Sequence, residues 1–109
     1  MCIIKGKKIE FDVYGYLKDR YLWNESIAIF LAKQENIVLT KHHWEIIFFI
    51  RKFYFQFNTL PHVRLLVNLI AKKYGKKIGN SNYLYFLFPK GPAQQAIKLA
   101  GLPKPVKCI

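Results

Sequence analysis

Two cysteines occur in the 109 residues, Cys2 and Cys108. Cys108 closes the run Leu102-Pro103-Lys104-Pro105-Val106-Lys107-Cys108-Ile109. Two prolines one residue apart cannot continue a helix, and they bias the backbone toward an extended, polyproline-like path. At about 3.1 Å per residue, the steps from Gly101 to Cys108 would project the sulfur roughly 20 Å from the last helix. Gly101 tolerates most backbone angles and is the expected hinge. A stiffened arm gives up less conformational entropy on docking than a Gly/Ser tail would. The chemistry such a thiol suits is exchange, in which one sulfur enters two different protein sites in turn.

Lys104 and Lys107 favour the thiolate, the reactive form, while a terminal carboxylate one residue away opposes it. Each exposed charge at a few ångströms is worth about 1 kcal/mol or less in water, so the effects nearly cancel. The expected thiol has ordinary acidity and draws its activation from a partner's pocket or from the arm folding back. An inert cysteine on a domain-ending tail is the competing reading from physics alone.

Other residues invite chemistry less strongly. Cys2 reads as a small apolar residue rather than a second carrier. His42 and His43 are adjacent and cannot share a helical face, His62 is distant, and no carboxylate or cysteine lies at metal-ligand spacing, so no metal site is expected. Glu45 and Asp19 read as surface or capping charges. Tyr83, Tyr85, Phe86 and Phe88 form either core or a surface against which the arm folds. Lys72, Lys73, Lys76, Lys77 and Lys90 read as a solvated face or as a basic face for a phosphate-bearing or acidic partner.

The net charge of +12 agrees with such an encounter and would make it salt-sensitive, without choosing between RNA, DNA and an acidic protein. Its weight is reduced by composition. Only Arg20, Arg51 and Arg64 are arginine, and the abundance of Lys, Ile, Asn, Phe and Tyr is what a coding drift toward A and T produces. At 52% hydrophobic and 17% aromatic, the chain can build a core, and its length fits one domain spanning 1–109. No apolar run approaches the roughly 20 residues that cross a bilayer, and no secretory signal is visible, so a cytoplasmic protein is expected.

The elements that must position the arm are mostly helical. A hairpin is predicted over 3–11, with Ile3-Ile4-Lys5 and Lys8-Ile9-Glu10-Phe11 as strands and Gly6-Lys7 as the turn. A loop follows around Tyr14-Gly15-Tyr16. Asn24 caps a helix at about 25–34. Thr40 caps the longest, 41–57, which is apolar on almost every side and is therefore expected to be the buried centre of a bundle. Pro61 suits the first turn of a helix over 61–73 that Gly75 closes. Ser81 is the expected cap of a short aromatic helix, 82–88, and Pro92 opens the last, 93–100. The arm takes 101–109. The fold class is mainly α, an orthogonal bundle of about five helices with a small N-terminal β-hairpin and a C-terminal arm.

Several ordered motifs resemble the DsrC/TusE family across essentially the whole chain. They are Phe57-Asn58-Thr59, Gly79-Asn80-Ser81-Asn82-Tyr83-Leu84-Tyr85, Leu87-Phe88-Pro89-Lys90-Gly91-Pro92-Ala93, and Ala100-Gly101-Leu102-Pro103-Lys104-Pro105 with Cys108 penultimate. Gly15-Tyr16-Leu17 and His43-Trp44-Glu45 agree as well. Members that partner dissimilatory sulfite reductase carry a second tail cysteine eleven residues before the penultimate one, where this chain has Ile97. The resemblance is therefore to the single-cysteine branch, the sulfur carriers of tRNA 2-thiouridine synthesis. It implies that Cys108 accepts persulfide sulfur from the TusBCD complex, through TusD, and passes it to MnmA bound to tRNA. It implies no cofactor, and an indirect contact with tRNA.

Two other functions compete. One is a subunit associated with dissimilatory sulfite reductase, weakened by Ile97. The other is a helix-turn-helix nucleic-acid binder built on 61–73 and 82–88. Its connection is longer than the usual three or four residues, and its recognition helix offers Tyr, Leu and Phe rather than base-reading Arg, Asn or Gln.

Overall fold

The computed structural model describes residues 2–4 and 6–103. The expectations attached to Cys108, to Lys104 and Lys107, and to the Cys2 side chain lie outside the described residues. Strands β1 (Cys2–Ile4) and β2 (Lys7–Ile9) form an antiparallel pair, followed by a 3-10 turn (Arg20–Leu22). Five helices follow: α1 (Glu25–Gln34), α2 (Lys41–Phe57), α3 (Val63–Tyr74), α4 (Ser81–Leu87) and α5 (Pro92–Leu99). The expected fold class, mainly helical with a small hairpin, is what the structure has.

The hairpin turn lies one position earlier than expected. Ile4 pairs with Lys7, so Lys7 belongs to β2 and not to the turn. Gly6 takes a φ of 80°, which a glycine adopts without steric cost. An isolated bridge, Phe11 to Leu17, continues the pairing. Between them Asp12 accepts the N–H groups of Tyr14 and Tyr16 through Oδ1, and this folds the Tyr14-Gly15-Tyr16 loop.

Side chains set most of the helix starts. Asn24 Oδ1 accepts from the Ile27 N–H at 3.0 Å. At α3 the cap is His62, whose Nδ1 accepts from the Leu65 N–H, so Pro61 precedes the helix instead of opening it. At α4 the cap is Asn80 and not Ser81. Its Oδ1 accepts from the Tyr83 N–H, while its Nδ2 donates to the carbonyls of Lys76 and Lys77 and ties down the basic loop. One amide thus serves both sides of the junction, and a serine hydroxyl, with a single donor hydrogen, could not supply both carbonyls. Pro92 does open α5.

The centre of the bundle is α5, not α2. Pro92, Ala93, Gln95, Ala96, Ile97 and Leu99 are all buried, and α5 packs against α1, α2, α3 and α4. Ala93 and Ala96 let neighbouring helices approach closely. On α2 only His43, Ile46, Ile47 and Ile50 are buried, a single stripe at helical spacing. Its aromatic residues occupy the remaining faces, and Phe48, Phe55 and Phe57 are substantially exposed. An apolar composition on all sides did not make this helix the core.

Candidate functional site

Helix α5 ends in a Schellman motif, and this sets where the body stops and the arm starts. The Leu102 N–H donates to the Ile97 carbonyl at 3.2 Å and the Gly101 N–H to the Lys98 carbonyl at 3.1 Å. Gly101 takes a φ of 69°, as the motif requires. Ile97 and Leu102, which accompany these bonds, are both fully buried.

Gly101 is therefore a locked cap and not the expected hinge. A Cβ on it would lie 2.3 Å from Trp23 Cδ1 and 3.0 Å from Leu17 Cδ2. Its lack of a side chain is used for close approach rather than for motion. Leu102 is part of the core, so the expected arm begins at Pro103, and 103–108 make six residues. Six residues can span at most about 20 Å.

Two side chains hold the last carbonyls of α5. Trp23 Nε1 donates to the Leu99 carbonyl at 2.9 Å, and Arg51 Nη1 donates to the Ala100 carbonyl at 2.6 Å. Arg51 Nη2 reaches the Arg20 carbonyl at 3.2 Å. The guanidinium lies 4.4 Å over the Trp23 ring and 5.1 Å over that of Phe55. Burial lowers the Arg51 pKa from its ordinary value, yet an arginine stays charged in practice. Neither residue was a candidate in the sequence. The available signal was a lone arginine within an apolar helix, a charge that must find acceptors if it is covered.

Rings extend this anchor along the surface. Phe48 meets the Trp23 ring edge-on at 5.8 Å and stacks on Trp44 at 5.9 Å. On the other side Phe55 lies 5.7 Å from Tyr21, whose ring carries Arg20 at 5.1 Å. The root of the arm thus sits within an exposed strip of aromatic and cationic groups.

The α5–α1 contact is polar. Glu35 accepts from Gln95 Nε2 at 3.1 Å and lies 3.5 Å from Lys98 Nζ. Burial alone would raise the Glu35 pKa. The Gln95 hydrogen bond and the ammonium groups of Lys98 and Lys90 outweigh it and hold the carboxyl below its usual range.

The remaining sequence candidates have structural work. Asp19 caps the 3-10 turn by accepting the Tyr21 N–H. His43 is buried. Its Nδ1 faces the N–H and hydroxyl of Thr40, and its Nε2 donates to the Leu87 carbonyl at 2.8 Å. The neutral ring, with its proton on Nε2, thus engages both nitrogens. Burial, which outweighs the Leu87 carbonyl, lowers its pKa. His42 bonds the Tyr83 hydroxyl and lies 4.0 Å from Glu45. Phe88 is core, whereas Tyr85 and Phe86 are exposed, so the core reading holds for only part of that group.

The five lysines of the candidate basic face also divide. Lys73 lies over the rings of Phe49 and Tyr74 in a groove shared with Lys41 and Lys52. Lys90 lines a different groove with Glu35 and Lys98. Among the described residues, no helix is long and apolar enough to cross a membrane.

Comparison with known proteins closes the picture. The family model described as DsrC like protein matches residues 3–109, a span that includes Cys108. Sulfurtransferase TusE of Photorhabdus laumondii is 62% identical over 109 residues, covering 100% of this chain and 98% of that protein. Sulfurtransferase TusE of Escherichia coli K12 is 56% identical over 109 residues, with 100% of both covered. Among solved structures, Allochromatium vinosum DsrC superposes with a TM-score of 0.91 at 46% identity, covering 99% of this chain and 96% of that one.

Proposed function

This chain belongs to the DsrC-like family, and on that premise we propose that it is a sulfurtransferase, the sulfur carrier in 2-thiolation of the tRNA wobble uridine. The observation that carries this reading is its similarity over the full 109 residues to proteins named Sulfurtransferase TusE. Cys108 is the carrier residue, and residues 1–109 act as one domain. The donor is the TusBCD complex, acting through TusD, and the acceptor is MnmA with its bound tRNA. These steps occur in the cytoplasm.

The step is thiol exchange. The Cys108 thiolate attacks the outer sulfur of a donor persulfide, the donor's S–S bond breaks, and the donor leaves as a thiolate. Cys108 then carries the terminal S–H group. Attack on that sulfur by a cysteine thiolate of the acceptor returns Cys108 to its starting state, with no net oxidation across the two steps. The clamp on Gly101 and Leu102 supports this reading by fixing the body of the domain up to the start of the segment that carries Cys108. The body need not rearrange when the sulfur changes hands.

A likeness at 40% identity to the gamma subunit of the dissimilatory sulfite reductase (DsrC) of Archaeoglobus fulgidus favours a second reading, a partner of sulfite reductase. It requires a second cysteine at the place where this chain has Ile97, a fully buried core residue. The carrier reading is therefore the conclusion.

The test is to incubate the full chain with a cysteine desulfurase, sulfur-labelled cysteine and TusBCD, and to map the label by mass spectrometry. Label on Cys108, and none in Cys108→Ser, is expected. Label elsewhere, or undiminished thiolation of tRNA by MnmA with Cys108→Ser, would overturn the proposal.

A further inference from the structure

Helix α2 carries more apolar surface than the core uses. Beyond its buried stripe, Trp44, Phe48, Phe49 and Phe53 stay partly open on the side toward α3. There, two adjoining depressions of about 380 and 320 Å³ share Phe49, Lys52 and Lys73, and so form one trough between the helices. It runs along most of α2, a length of roughly 25 Å. Leu69 and Tyr74 complete its wall from α3.

Lys41, Lys52 and Lys73 provide the charge of this trough, against a single carboxylate, Glu45, that faces His42. An apolar floor edged by cations complements a helix with one apolar and one acidic face. The ring geometry favours protein over nucleic acid. Trp44 stacks on Phe48, and Phe49 on Phe53, with interplanar angles of 25° and 28°. Each ring gives one face to its neighbour along the helix and Lys73 lies over Phe49, which limits the open faces on which bases could stack and leaves apolar floor for aliphatic anchors. Position adds a reason. Phe48 belongs to the trough and touches Trp23, which holds the Leu99 carbonyl at the root of the arm.

We infer that the trough between α2 and α3 docks an acidic amphipathic helix of the protein that exchanges sulfur with Cys108. The identity of the partner rests on the carrier reading, while the docking chemistry does not. A partner seated there lies one ring from the arm's root, within reach of a thiol on a tether of at most about 20 Å.

The test uses the full-length, nitrogen-15-labelled protein and a synthetic helical peptide of about 16 residues, long enough to fill the trough. The peptide carries Leu on one face and Glu on the other. Shifts confined to Lys41–Phe57 and Val63–Tyr74 are expected. Affinity should fall about tenfold in the double variant Lys52→Glu/Lys73→Glu, and it should also fall as salt is raised. Both lysines are exposed, so the variant is expected to fold. In sulfur transfer from TusBCD, the same variant should raise KM about tenfold. Its saturated rate and its rate of Cys108 alkylation should match the wild type. Equal binding of a Lys-faced peptide, displacement of the peptide by tRNA, shifts mapping elsewhere, or a dimer whose interface is the trough would each overturn the inference. So would a wild-type KM in the reversed variant. If the wild type takes up no sulfur, the carrier reading fails and the peptide titration alone decides the trough.

Discussion

Arg51 Nη1 donates to the Ala100 carbonyl at 2.6 Å, joining the middle of α2 to the cap of α5. Few side chains could fill this place. The group must supply two donors to two backbone carbonyls and present a flat face to Trp23 and Phe55. Arg51→Met keeps the bulk and removes the donors, leaving two carbonyls unpaired. A loss of about 1–3 kcal/mol is expected in urea unfolding. Arg51→Lys should recover only part, because an ammonium lacks the planar fork. Full recovery by lysine would contradict the geometry.

Gly101→Ala and Gly75→Ala separate two costs of a side chain. Both glycines have positive φ, 69° and 95°. At Gly75 a Cβ meets nothing within 4 Å, but φ 95° with ψ 164° is a conformation essentially reserved for glycine, so a backbone cost of about 1–3 kcal/mol applies without any clash. At Gly101 the Cβ would strike the Trp23 ring, which adds an overpacking cost of about 1–3 kcal/mol. Removing the Trp23 ring (Trp23→Ala) should therefore reduce the loss caused by Gly101→Ala and leave that of Gly75→Ala unchanged, as read from denaturant midpoints. An unchanged Gly101→Ala loss in that background would mean that the Trp23 ring yields freely.

Acidification should weaken the fold in two stages. For His43 the folded pKa is lowered, so between the folded and unfolded values the unfolded chain binds more protons. Stability from this site is complete above an unfolded value of about 6.5 and is lost as pH falls from there to the folded value. The folded pKa of Glu35 is also lowered. Its contribution is complete above about 4.3 and is lost as pH falls through the folded value below that. In unfolding free energy against pH, His43→Gln should remove the first decline and keep the second. Retention of both would mean that another group controls the first.

Glu35→Ala leaves the Gln95 amide without its carboxylate in a mostly buried contact between α1 and α5. A loss of about 1–3 kcal/mol is expected, readable as a lower urea midpoint. Glu35→Gln should lose less, since an amide oxygen still accepts from Gln95. A neutral Glu35→Ala would show that solvent replaces the carboxylate at no cost.

Much of the helical fold was legible because periodicity and capping chemistry are local. Asn24, Thr40, Gly75 and Pro92 mark element ends in the sequence and stand at those ends in the structure. The shifted starts at His62 and Asn80 came from side chains that compete with conventional caps through bonds to nearby backbone. Reading α2 as central failed for a global reason. An apolar helix is buried only where the chain supplies something to cover it, and the aromatic faces of α2 are left partly open. For the candidate site, proline spacing indicated an arm, while the anchors came from far away in sequence. The Trp23–Leu99 and Arg51–Ala100 bonds join residues 76 and 49 positions apart, and no local pattern encodes them.

The burial of α5 gives the tether a mechanical consequence. The element that anchors it is also the hub on which the other four helices rest. Any displacement that unseats Leu102 must therefore disturb the packing of the whole bundle and not of one helix alone.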